Sequence, residues 1–327
     1  MTAFCPWCSA PRDSGLICPK CGADYAKAEA IKAHGRAIPA TDTANITSES
    51  LSSGELDADP SLSALRHIDD PELEYKFCVG AIPIALLIAI AFNASGLGSS
   101  LQRIFLTMPV HELGHSVTAW FCGFSAIPTL WKSLIPETRG WLAPIALLGA
   151  LAYMVFRGYV TGRASFMWAG GALIILQAIG TLVIKPETAL MLITFGGDGC
   201  GMILAVLLMA SFFFGKHTQI YQGALRWGFL VIGAAAFVDI FATWWKARSD
   251  ESAIPYGTTG GMATDSMKLV DYYGWSMEAL VSRYVVLGVC CLIALMLVYI
   301  WGVWRARSEM NAWQLARLKA DWAAKKR

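Results

Sequence analysis

Seven apolar stretches, at roughly 77–97, 104–123, 141–156, 165–184, 188–214, 225–245 and 281–304, fill most of the chain after residue 76. No other feature limits the fold as strongly. A lipid core offers no water to backbone N–H and C=O groups, so a crossing segment must satisfy them internally. A helix of about 20 apolar residues does so and spans the hydrocarbon. Composition agrees: 56% of the residues are apolar and 15% charged, where soluble domains carry about 25% charge. Trp131, Trp141, Trp168, Trp227, Trp244, Trp245, Trp275, Trp301 and Trp304 stand near the ends of stretches, as interfacial anchors do. The expected fold class is an all-α polytopic membrane protein. A net charge of +2 is too small to argue for a nucleic-acid partner.

The stretch at 141–156 is the shortest and contains Pro144 and Gly149. It is expected to be a partial or re-entrant element, which leaves about six crossings. Parity supports this. The tail after residue 304 carries Arg305, Arg307, Arg317, Lys319, Lys325, Lys326 and Arg327, so it belongs in the cytosol. The N-terminal thiols favour the same reducing compartment. Six crossings then place Lys132, Arg139, Arg157, Arg163, Lys216 and Arg226 inside. The acidic 246–280 loop, with Asp250, Glu251, Asp265, Asp271 and Glu278, falls outside. The expected location is a cell (inner) membrane with both termini cytosolic.

The nine cysteines fall into two sets. Cys78, Cys122, Cys200, Cys290 and Cys291 lie in or beside apolar segments, where lone thiols behave as small hydrophobes. Cys5, Cys8, Cys18 and Cys21 form two C-x-x-C pairs, each with a proline after its first cysteine. Two such knuckles close a tetrahedral thiolate site, and a segment this short needs the metal to fold. Residues 1–25 are therefore read as a structural zinc ribbon, a module suited to docking a regulatory protein. Residues 26–76 read as a flexible linker with an amphipathic lead-in, because 37–63 are rich in Ser, Thr, Asp and Ala. Residues 77–304 form the membrane domain and 305–327 the basic tail. His34 and His67 fall in the linker and His217 in a short loop, where each is expected to be solvated or interfacial.

Inside the second apolar stretch the chain reads His111-Glu112-Leu113-Gly114-His115. On a helix, histidines at i and i+4 converge on one ion, and the glutamate between them lies within reach of a water beside it. Ionisable groups cost about 2.5–3.5 kcal/mol each within a bilayer, so three in such a short span call for a function. Catalytic zinc takes three protein ligands. Two aspartates lie within apolar stretches, Asp198 and Asp239. Asp198, in Phe195-Gly196-Gly197-Asp198-Gly199, is favoured, because the glycines permit close helix approach. Asp239 lies nearer a membrane face, where water would solvate it.

A membrane-embedded H-E-L-G-H followed by an apolar segment with Asp-Gly resembles the site-2 protease family of intramembrane zinc metalloproteases. The resemblance covers about residues 77–214. It implies that His111, His115 and Asp198 bind catalytic zinc and that Glu112 is the general base. The substrate would then be a membrane-embedded or membrane-proximal protein segment. The Asn and prolines usual before the family's Asp-Gly are missing, since Ile193-Thr194-Phe195-Gly196-Gly197 stands there. Residues 124–136, which follow the motif, mix β-branched, aromatic and proline residues and would offer an edge to an extended substrate. The competing expectation is a non-enzymatic zinc protein of the membrane that docks partners through its ribbon. The presence of Glu112 argues against it, because a structural site needs no base.

Overall fold

The computed structural model describes residues 70–326, apart from 216, 217, 223 and 260. The ribbon cysteines Cys5, Cys8, Cys18 and Cys21, the linker up to residue 69, His34, His67 and His217 lie outside the described residues, whereas residues 70–76, expected as part of the lead-in, cap and begin the first helix.

Helix α1 spans Pro71–Asn93. Asp70 caps it by accepting from the Glu72 N–H at 2.9 Å, and Pro71 takes the first turn, where no N–H partner is needed. Ser95 caps α2, Gly96–Gln102, in the same way. One wide turn, Arg103–Thr107, leads directly into α3, Met108–Phe121, which carries the motif. Two hairpin strands follow, β1 (Ile127–Pro128) and β2 (Ser133–Leu134). Next come α4 (Leu142–Val160) and α5 (Ala164–Ala178), joined by a tight turn in which Gly162 adopts φ +67°. Lys185, extended before Pro186, separates them from α6, Pro186–Ala210. Helix α7 is Leu225–Lys246. A second small hairpin, β3 (Thr258–Thr259) with β4 (Met262–Ala263), precedes α8, Met277–Lys325.

Six helical segments among the described residues are long and apolar enough to cross a membrane: Pro71–Asn93, Leu142–Val160, Ala164–Val183, Pro186–Phe213, Leu225–Lys246 and Met277–Lys325. The architecture is that of an all-α polytopic membrane protein.

Two expectations need correction. The 141–156 stretch is not a partial element. It is a regular helix of 19 residues that runs on through Arg157, which lies in its last turn, where a long stem lets a charge reach water. Pro144 sits in the first turn and breaks nothing; its carbonyl accepts from Gln177 Nε2 at 2.6 Å. Conversely, the motif stretch is not among the six, because His111, Glu112 and His115 leave it less apolar than the helices that qualify.

The core lies where α6 packs on α3, α7 and α8. Trp244, Tyr284, Met202, Met209, Phe212, Leu230 and Ile240 are completely enclosed there. The α4–α5 hairpin instead turns Trp141, Leu142, Tyr153, Phe156 and Trp168 outward. At one end of the bundle, Glu74 of α1 accepts from the Arg226 guanidinium of α7 and from the Tyr221 hydroxyl. Phe213, Arg305 and Glu309 line a small cavity with that same Glu74. The first and last crossings thus start and finish at one end, as an even number of crossings requires. The 247–276 segment occupies the other end.

Candidate metal centre

The first turns of α3 project His111, Glu112 and His115 toward α6. Helix approach there is close. A Cβ on Gly114 would stand 2.5 Å from the Gly196 carbonyl oxygen, and one on Gly197 would stand 2.5 Å from His115 Nε2. Only glycine at these two positions lets the motif helix and its imidazoles approach α6 this closely.

Each imidazole is held through its Nδ1. His111 Nδ1 lies 2.8 Å from Asp198 Oδ1, and His115 Nδ1 lies 2.7 Å from the Ile193 carbonyl oxygen. Asp198 is fixed in turn, because its Oδ2 accepts from Trp244 Nε1 at 2.7 Å. A carbonyl and a carboxylate only accept, so each Nδ1 carries its proton and each Nε2 presents a lone pair. The two Nε2 atoms face each other at 3.1 Å. Asp265, from the segment before α8, places Oδ2 at 3.2 Å from His111 Nε2 and 2.9 Å from His115 Nε2.

Three lone-pair donors therefore crowd together. Left without a cation they would repel, unless one took up a proton. Donors arranged tetrahedrally around an ion at about 2.0–2.1 Å stand about 3.3 Å apart, close to the observed spacing. His111, His115 and Asp265 fit a single divalent ion.

Comparison with protein-family models, curated proteins and solved structures gives no match. The site must be read from its own geometry.

A cavity of about 490 Å³ opens beside the three donors. Glu112 lines it and is itself buried. The β1–β2 hairpin forms one wall. Ser133 Oγ donates to the Glu112 carbonyl at 2.7 Å and lies 3.2 Å from Ser116 Oγ, which pins the hairpin to α3. Thr264, Asp265 and Lys268 form the opposite wall. Lys132 and Lys268 thus line one cleft, so the expectation that the 122–141 and 246–280 loops lie on opposite sides fails. The reason is the exchange of roles noted above: α4 is long and apolar enough to cross, and the motif helix is not among the helices that are. That keeps the parity and moves the first loop to the other end.

Of the acids weighed from sequence, Asp198 does meet the motif, but at the outer nitrogen of His111. Asp239 is not hydrated. It is buried and paired with Arg103 at 3.2 Å, away from the three donors. Sequence reasoning missed Asp265, which it counted only as loop charge. It also missed Trp244, which reads as an interfacial anchor. No spacing in the chain marks either one.

Proposed function

We propose that this chain is an intramembrane zinc endopeptidase that cleaves transmembrane or membrane-proximal protein segments. The single observation that carries this reading is the convergence of two imidazole Nε2 atoms and one carboxylate oxygen beside a buried glutamate in an accessible cleft. His111 and His115 would hold the ion. When bound, zinc supplies Lewis acidity that polarises a peptide carbonyl and makes a nearby water more acidic. Glu112 takes a proton from the attacking water as its oxygen bonds to the carbonyl carbon. It returns that proton to the amine as the C–N bond breaks. The β1–β2 hairpin supports the choice of substrate. Ile127, Leu130 and Leu134 are exposed along it, and an extended segment can add to its edge while its side chains rest on them.

Zinc at Cys5, Cys8, Cys18 and Cys21 belongs to the same proposal, as a structural ion in a ribbon open to a regulatory partner. So does orientation. The tail after residue 304 is strongly basic, so the end that carries it is assigned to the cytosol by the positive-inside rule. The cleft then opens on the outer half of the membrane.

The test is a comparison of membrane-protein fragments across the proteome of cells carrying the wild-type chain or Glu112→Gln. The amide keeps the shape of the carboxylate and cannot take the proton. Fragments present with wild type and missing with Glu112→Gln are expected. Identical fragment sets would remove the peptidase reading.

A further inference from the structure

We infer that Asp265 is the third protein ligand of the membrane metal site, and that Asp198 is a positioning residue acting through His111. The inference rests on the metal-site reading above and departs from the ligand set that the site-2 protease resemblance implies.

The argument starts from the shape of imidazole. Its two nitrogens point in divergent directions, so a carboxylate bound at Nδ1 cannot also reach an ion held at Nε2. Asp198 Oδ1 is bound at His111 Nδ1, and its other oxygen is taken by Trp244 Nε1. Both of its oxygens are engaged away from the point where the Nε2 atoms meet. A carboxylate in this position fixes the tautomer and ring direction of a metal-binding histidine and raises its basicity. The Ile193 carbonyl does the same for His115.

Asp265 is placed the other way. Its Oδ2 sits within 3.2 Å of both Nε2 atoms and completes the only group of three metal-capable side chains among the described residues. Its second oxygen, Oδ1, lies 3.4 Å from Lys268 Nζ. The backbone holds it there. Thr264 accepts from the Met267 N–H through its hydroxyl, and the Thr264 N–H bonds to the Gly257 carbonyl, which closes the β3–β4 hairpin. The third donor therefore arrives on the segment that walls the substrate cleft.

The test uses the full chain with Cys5, Cys8, Cys18 and Cys21 changed to Ser, so that the ribbon contributes no signal. Asp265→Cys and Asp198→Cys are made in that background, loaded with Co²⁺ and read by absorption. A thiolate on the ion adds a sulfur-to-cobalt charge-transfer band that nitrogen and oxygen ligands lack. The band is expected with Asp265→Cys, and neither the parent nor Asp198→Cys should show it. Chelator competition on Asp198→Asn should show zinc affinity weakened about 10–100-fold, with the ion still bound, the size of an outer-shell loss. A band with Asp198→Cys, or its absence with Asp265→Cys in a chain whose parent binds cobalt, overturns the inference alone. A parent that binds neither cobalt nor zinc removes the metal-site reading and the inference together.

Discussion

The α4–α5 hairpin and the α6–α7 pair look alike in sequence and differ in almost every physical respect. All four helices are apolar enough to cross a membrane. Yet only 17% of each hairpin window is buried within the protein, against 56% for α6 and for α7. The hairpin spends its apolar side chains on lipid. The α6–α7 pair spends small residues on close contact with other helices, and buries Asp198, Arg226 and Asp239 there. Lipid tails are as apolar as leucine, so hydrophobicity cannot drive helices together within a bilayer. Packing and hydrogen bonds must do it. Hydropathy therefore identifies the crossings. Glycine and buried charge identify the half of the molecule that works.

The largest effect that would sharpen this contrast is at Glu74, which ties α1 to Arg226 of α7. Glu74→Ala leaves a guanidinium buried without its carboxylate. Thermal unfolding in detergent should show a loss of about 3–5 kcal/mol, the usual result of breaking a buried pair from one side. A loss below about 1 kcal/mol would mean that water reaches Arg226, and would weaken the view that this half is tightly sealed.

A smaller effect comes from paired glycines. Gly114→Ala drives a methyl group into the α6 backbone and should cost about 1–3 kcal/mol. Gly149→Ala, in α4, meets nothing within 4 Å and should be neutral or stabilise by up to about 1 kcal/mol through helix propensity. Equal costs at the two positions would break the comparison between hairpin and core.

Much of the fold is legible in the sequence because lipid dictates it. Each crossing needs its own run of apolar residues, and the runs are there. Which segment fails to cross was read wrongly for a local reason. The 141–156 stretch reads as too short, with Pro144 and Gly149 inside it, although the helix runs on past Arg157, whose stem can lie along apolar surface while its charge reaches water. The motif stretch, 104–123, reads as a full crossing, although Gln102 and Arg103 just before it carry polar groups into the bundle. These groups are satisfied by the Ala235 carbonyl and by Asp239, partners that only the tertiary fold supplies. At the site, His111, Glu112 and His115 were legible because helical spacing alone brings them together. Asp198 was legible as a buried acid among glycines, though its role was not, since no local pattern says which imidazole nitrogen it will meet. Asp265 was not legible. Its approach depends on how the β3–β4 hairpin folds back over α3, and sequence shows only an acid in a polar loop.

The central claim is that the tightly packed half of the membrane domain holds a metal ion between α3 and the segment before α8. The most direct measurement is zinc content of the full chain with the four ribbon cysteines changed to Ser. About one zinc per chain is predicted, kept by Glu112→Gln and lost with His111→Ala/His115→Ala. A chain that binds no zinc, or whose zinc is unaffected by loss of both histidines, would contradict the account.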